Sequence, residues 1–437
     1  MSKRPAGLIY TEDDRPPFLT LILLGVQHIF LMSSTLVLPV VLVTEIGGSF
    51  EDVRTVVAMS MIACGVGTIL QALRVRGVGS GYLCPNLCGP NFFAASMQAA
   101  WLGGLPLMKG MIIIAGLVEI VFARLIGRLR TLFPPEITGL VVLMVAESLI
   151  ALGVSKFMGI NYEGEPINSK CVLVAAITLF LMVSINVWSR GKLKLYSVLI
   201  GMACGYSLSY FLEIITSVQL GMVVKEPLIA LPATSGMLSF SFKWSLLPTF
   251  IIVSITGALK SFGNLIMCEK INDDEWVEPD MKRVGNGLVA DSLCVIISGL
   301  LGAMASDTSA SNVALSNASG ATSRRIAYAA GIIFILLGFS PKVGALLSVM
   351  PMPVMGAILV YVASFMIISS MQIIIGSGID TRKIFVIAIP LIFGLSMDIL
   401  PSLFSGIPYY LRPLFDSPLT LCTILAVILH QLFRLRA

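Results

Sequence analysis

Apolar runs recur along this chain with little between them, at 18–44, 54–73, 80–100, 107–127, 136–154, 170–188, 194–216, 244–267, 286–304, 307–321, 325–340, 342–372, 383–400 and 416–433. A helix needs roughly 20 apolar residues to cross the hydrocarbon layer of a bilayer, and most runs are near that length. They cannot all be hidden in globular cores, because a water-facing surface must still be covered by polar groups. Composition agrees: 57% of the 437 residues are hydrophobic and 12% charged, against roughly 45–50% and about 25% in soluble domains. The sequence therefore predicts an all-α polytopic membrane protein of fourteen segments. Twelve is the alternative count, since the runs around 300–345 divide in more than one way.

The basic residues test this map, because Lys and Arg collect in short cytoplasmic loops. With the N-terminus inside, twenty of the 29 fall at cytoplasmic ends, among them Arg74, Arg124, Lys270, Arg283, Arg324 and Arg382. Eight fall on the other side and one, Lys260, lies within a run. This distribution predicts an even number of spans with both termini cytoplasmic, in the inner (cytoplasmic) membrane. The polar start, Met1 to Pro17, carries no apolar stretch before a cleavage site, so no removed signal peptide is expected. The net charge of +5 is too modest and dispersed to suggest nucleic-acid binding. Eight cysteines sit mostly inside apolar runs, where a thiol acts as a small hydrophobe. Cys84 and Cys88 lack a second ligand pair, so no metal site is expected.

Two runs, the third and the tenth, are poor spanning helices. Gly79 to Ser96 reads GSGYLCPNLCGPNFFAAS, and Ala305 to Ser323 reads ASDTSASNVALSNASGATS. Non-helical backbone at membrane depth is tolerated only where protein buries it or where it lines a cavity. Interrupted segments seven runs apart point to an inverted-repeat transporter with its site near the midplane. The expected organisation is one unit, 1–437, with repeats 1–230 and 240–437.

An ionisable group within a span is costly and marks function by default. The candidates are His28, Glu119, Glu147, Lys260, Asp291 and Asp307, with Asp398 near a span end. Lys260 is too far from either end of its run to reach water by snorkelling. It is expected to face a central site, with Asp291 or Asp307 as its counter-charge. Ser309, Ser311 and Asn312 lie at the start of the helical part of the tenth segment, where free N–H groups and the positive dipole end favour carbonyl or anionic oxygen. Phe92 opens the matching part of the third segment and offers an aromatic face or packing. Gln27 and His28 are expected to bridge helices, with proton relay or ligand contact by His28 as the other reading. Asp291 suits a hydrogen-bond anchor. Glu119 and Glu147 remain unassigned.

Gln27-His28, the stretch ending GPNFFAAS, KSFGN around Lys260, GNGLVAD ending at Asp291, the surroundings of Asn312, and MPMPVMGAILVYVASFMIISSMQ before GIDTRK together resemble the nucleobase/ascorbate transporter family, also called nucleobase:cation symporter-2. The resemblance covers nearly the whole chain. It implies two inverted sets of seven spans, a core domain from segments 1–4 and 8–11, a gate domain from 5–7 and 12–14, and a homodimer. It also implies transport of a purine, xanthine, urate or uracil, with a proton or sodium ion as coupling partner, and substrate contacts at Lys260, Asn264, Ser311 and Asn312. The departures concern charge: the family's substrate-binding glutamate corresponds here to Lys260, the next His or Asp to Asn264, and the Gln or Glu before Asn312 to Ser311.

An ammonium has donors only and cannot accept from a neutral base as a carboxylate does. It prefers an anion, and urate fits better than a neutral nucleobase. The expectation is a permease, not an enzyme, without cofactor, for a nucleobase-related and anionic small molecule. An exchanger or channel for small inorganic or carboxylate anions is the alternative on the same fold.

Overall fold

The computed structural model describes residues 8–75, 77–129, 134–160, 166–189, 193, 197–232, 239–275, 279–376, 378, 380–400 and 418–434. Outside them lie Lys3, Arg4, Arg76, Arg130, Arg190, Lys192, Lys194, Arg412 and Arg436 of the basic-residue distribution, and the first residues of the seventh and fourteenth runs. Of the described residues 79% are helical.

The first run forms α1 (Phe18–Ser33) and α2 (Val37–Glu45), joined by one 3-10 turn. α3 (Phe50–Ala72) starts on a capping box in which Ser49 and Asp52 satisfy each other's backbone N–H groups. The third run is extended up to β1 (Asn86–Cys88) and then turns helical. α4 (Pro90–Leu129) is broken at Gly103 and Gly104; Gly104, at φ 67° and ψ −169°, adopts a conformation only glycine holds without strain. The break separates a half-helix, 90–102, from a spanning helix, 105–129.

α5 (Pro135–Met158), α6 (Ser169–Trp188) and α7 (Ser197–Phe211) precede a short exposed α8 (Ser217–Lys225). α9 (Leu247–Asn272) and α10 (Met281–Leu301) lead to β2 (Ser306–Thr308) and α11 (Ala310–Ser319), the tenth run. There follow α12 (Arg324–Gly338), α13 (Pro341–Ser348), α14 (Met352–Gly376), α15 (Thr381–Ile399) and α16 (Pro418–Arg434).

Among the described residues eight helices are long and apolar enough to span, or nine if α12 and α13, bent by 74°, count as one. Length alone therefore does not establish fourteen. The third and tenth segments are only half helical, and α7 and α16 have 15 and 17 residues. The run 342–372 is not one helix: it breaks between α13 and α14 at Val349–Pro351, where a proline nitrogen has no hydrogen to donate and the residue before it is driven extended.

The helices pack in two groups. In one, α3 lies on α10 and α12, α4 on α9 and α10, and α1 on α12. In the other, α14 lies on α5, α6 and α7, and α16 on α5 and α15. Large apolar side chains stay exposed on the perimeter, such as Trp101, Phe180, Trp188, Phe365 and Ile392, as a lipid solvent allows.

Candidate functional site

β1 and β2 cross inside the first group as an antiparallel pair, with Asn86 opposite Thr308, Leu87 opposite Asp307 and Cys88 opposite Ser306. Gly89 N–H donates to Ala305 O at 2.8 Å and Ser309 N–H to Pro85 O at 3.0 Å, so extended backbone is satisfied where no water could serve it. Each strand runs directly into a helix start. Pro90 opens α4 with its fixed φ, a favoured first-turn residue. Ser309 caps α11, its Oγ accepting from Asn312 N–H at 3.2 Å. The first-turn N–H groups ahead of Asn312 have no acceptor within the helix. Two positive helix ends thus meet at the crossing.

A buried polar frame holds the crossing. Asp291 on α10 accepts from Ser261 Oγ at 2.5 Å and from Asn86 Nδ2 at 2.7 Å. Ser261 Oγ accepts from Thr308 Oγ1 at 2.7 Å, and Thr308 accepts from Asn264 Nδ2 at both its hydroxyl (2.9 Å) and its carbonyl (3.2 Å). Asn86 N–H donates to Thr68 Oγ1 at 3.0 Å. One carboxylate and a chain of hydroxyls and amides therefore tie α3, α9, α10 and both strands together.

Lys260 extends from α9 to Asp307, with Nζ 2.8 Å from Oδ1. Asn91, in the first turn of α4, donates to the other oxygen at 3.0 Å. Of the two carboxylates the sequence offered as counter-charge, Asp307 is the partner. The pair is lopsided: the Asp307 side chain is 1% exposed and that of Lys260 25%. Ser311 is exposed beside it, as are Gly263, Met267 and Lys270, which continue the Lys260 face down α9. This face forms an accessible stripe from the ammonium to the C-terminal end of α9.

His28 Nδ1 lies 2.7 Å from Asn312 Oδ1. The Asn312 amide nitrogen donates to Ser309 Oγ at 2.9 Å, so its oxygen is the acceptor and His28 carries its proton on Nδ1. Gln27 is buried next to His28. Phe92 is fully buried rather than facing open space; its ring fills the room left by Gly89 and Gly257, where a Cβ would lie 3.2 Å from it. Glu119 meets the same glycine, its Oε1 3.0 Å from where a Cβ would be. Glu147 and Asp398 meet each other on α5 and α15, in the second group. Among the described residues no cluster could hold a metal, and Cys84 and Cys88 are free buried thiols.

Sequence reasoning missed Asn86, Asn91, Ser261, Thr308 and Thr68. Asn91, directly after the Gly-Pro that opens α4, and Ser261, directly after Lys260, stood beside stated features; the other three had no local signal. The assembled site presents an ammonium and helix-start N–H groups on one side, a donor-rich surface suited to carbonyl or anionic oxygens.

The model of the Permease family (Xan_ur_permease) matches residues 19–403. Xanthine permease XanP of Escherichia coli (strain K12) is 26% identical over 443 residues, covering 98% of this chain and 94% of that protein. Uric acid permease PucJ of Bacillus subtilis (strain 168) is 28% identical over 427 residues, covering 94% and 92%. Among solved structures, the murine Slc26a9 anion transporter in its inward-facing state aligns with a TM-score of 0.63 at 9% identity, covering 97% of this chain and 69% of that one. The transmembrane domain of the cyanobacterial bicarbonate transporter BicA aligns at 0.57 and 13%, covering 96% and 99%. At these identities the structures carry the fold alone.

Proposed function

This chain belongs to the Permease family, and we propose on that premise that it is a secondary transporter of purine nucleobases, xanthine and above all anionic urate, across the cytoplasmic membrane. The observation that carries the reading is the Lys260 ammonium, held by Asp307 between two helix starts and still partly open. An unpaired ion out of water costs several kcal/mol even after relaxation. A ligand that takes Lys260 from Asp307 must therefore bring comparable charge. Urate does, and a neutral base does not, so urate is expected to bind more tightly than xanthine, uracil or any other neutral base. Ser309, Ser311 and Asn312 with the α11 backbone supply donors to the ring oxygens, and Asn264 holds Thr308 in place. His28 and Gln27 orient Asn312, Phe92 fills the wall behind, and Asp291 anchors the frame.

The first helix group acts as the core and the second as the gate, and their relative movement offers one site to each side in turn. Packing supports two inverted repeats: α1 on α12 has its counterpart in α9 on α4, and α3 on α12 in α10 on α4. Both termini are cytoplasmic, so the stripe below Lys260 leads inward. A homodimer and a co-transported proton or sodium ion complete the reading. Inorganic-anion transport would rest on likeness of fold only.

The test is counterflow of radiolabelled urate into liposomes carrying the purified protein. Expected is saturable uptake, competed by xanthine and indifferent to bicarbonate and chloride. Conductance of those ions, untouched by purines, would replace this reading with the anion-channel one. The doubly neutral variant Lys260→Gln with Asp307→Asn should fold and bind urate at least about tenfold more weakly, a loss of about 1.4 kcal/mol.

A further inference from the structure

Among the described residues Glu119 is the one carboxyl near the crossing with no hydrogen-bond partner. It lies in the spanning half of α4, 1% exposed, and neither oxygen has a hydrogen-bond partner among the described residues. The other two are engaged: Asp291 by Ser261 and Asn86, Asp307 by Lys260 and Asn91. Its place is nonetheless central. The side chain fills the space above Gly257, three residues and one turn before Lys260 on α9, against the Phe92 ring. That ring also lines Gly89, which abuts Asp307.

We propose that Glu119 is the proton-binding site of the transport cycle, carrying one proton inward with each purine anion. The inference rests on the transport reading above and names the coupling ion and its carrier. A bare carboxylate in a buried position without a hydrogen-bond partner is strongly disfavoured, whereas a neutral acid is tolerated. The charged groups facing it are Asp291 from α10, Asp307 from β2 and Lys260 from α9. Charged groups on the other elements packed against α4 are engaged elsewhere, Lys156 of α5 with Glu45 of α2 and Glu147 of α5 with Asp398.

With urate at Lys260, the ammonium is occupied and two carboxylates stand near, so a further negative charge at Glu119 is repelled and its proton stays. Once urate leaves, Lys260 returns to Asp307 and one negative charge fewer stands near Glu119, so the proton passes to inner water. Substrate and proton therefore bind together and leave together, and no covalent bond changes hands.

The experiment uses liposomes containing the full chain, labelled urate, and a trapped pH dye. Wild type should accumulate urate under an inward proton gradient and acidify the lumen with it. One pH unit can support about tenfold accumulation if one proton accompanies each anion. Glu119→Gln, fixed in the neutral form, should lose accumulation and acidification while urate–urate exchange falls less than about threefold. Glu119→Asp, should the glutamine variant not fold, should retain coupling with a displaced pH profile. Accumulation by Glu119→Gln equal to wild type, a Glu119→Asp profile that does not move, or accumulation driven by sodium instead, overturns the proposal. Absence of urate exchange by wild type would instead sink the transport reading beneath it.

Discussion

Lys156 Nζ lies 2.5 Å from Glu45 Oε1 and joins the C-terminal end of α5, in one helix group, to the C-terminal end of α2, beside the other. A second pair at the same end of the bundle, Arg54 Nη1 with Glu226 Oε1 at 2.6 Å, joins the start of α3 to the segment after α8. The accessible stripe below Lys260 runs toward the opposite end. The molecule is thus fastened on the side away from that stripe. Breaking the better buried pair leaves a lone charge with little water, at a cost of about 2–3 kcal/mol. Lys156→Met is expected to raise hydrogen–deuterium exchange at the ends of α2 and α5, and the swap Lys156→Glu with Glu45→Lys to restore protection. Unchanged exchange in the single variant would show that the pair fastens nothing.

His28 holds the Asn312 carbonyl through Nδ1, so the histidine can be judged by what it leaves behind. His28→Ala strands a buried acceptor, which costs about 1–3 kcal/mol, and frees the amide to turn away from the substrate. Urate binding should weaken about tenfold or more. His28→Asn places an amide donor where Nδ1 stands and should recover most of the loss. Equal affinities for wild type and His28→Ala, measured by isothermal titration, would remove this orienting role.

How much of this was legible in the sequence depends on how local each signal is. The interrupted third and tenth segments declare themselves because Gly, Pro, Ser and Thr at that density cannot be lipid-facing helix, and Lys260 because a cation has few reasons to lie mid-span. The choice of Asp307 over Asp291 was not readable. It follows from the β1–β2 register, which sets Asp307 opposite Leu87 with Gly89 leaving room beside it, and no composition encodes that pairing. Ser261 was hidden because hydroxyls in helices usually turn back on their own carbonyls, as Ser254 does to Phe250 and Thr256 to Ile252, and Thr308 because its partners follow from the pairing of β2 with β1. The break before α14 escaped because an apolar run records burial and not direction.

Gly67 on α3 marks the closest approach behind the frame. A Cβ there would lie 2.0 Å from Cys294 Sγ, 2.8 Å from its Cβ and 3.3 Å from the Asn86 amide carbon. Gly67→Ala should force α3 and α10 apart and lower stability by about 1–3 kcal/mol, the usual cost of overpacking. Because Asn86 reaches Asp291 from the same spot, urate affinity should fall as well. Cys294→Ala removes the nearest atom and should return part of the stability. A Gly67→Ala protein with wild-type thermal midpoint and affinity would contradict this packing.

The N-terminal residues strap the core from below. Tyr10 pairs with Ala321, Ile9 N–H donates to Gly320 O at 2.7 Å, Arg324 N–H to Glu12 O at 3.0 Å, and Ser323 Oγ to Asp14 O at 2.7 Å. Glu12 meets Arg74 of the α3 end at 2.7 Å and also Arg283 at the start of α10, whose guanidinium stacks 3.5 Å above the Tyr82 ring. Asp13 meets Arg74 at 3.2 Å and Arg324 of α12 at 3.0 Å. Single exposed pairs are worth about 0–1 kcal/mol, but these share partners and join α3, α10 and α12. Glu12→Gln with Asp13→Asn is expected to destabilise the purified protein by about 1–2 kcal/mol in low salt. Near 1 M salt, where screening acts within about 3 Å, the half-exposed Asp13 contacts should count for little and the gap between variant and wild type should narrow. Thermal unfolding at the two salt concentrations decides it: a gap that stays constant would mean the strap is held by its backbone bonds, and no gap at all that the carboxylates hold nothing.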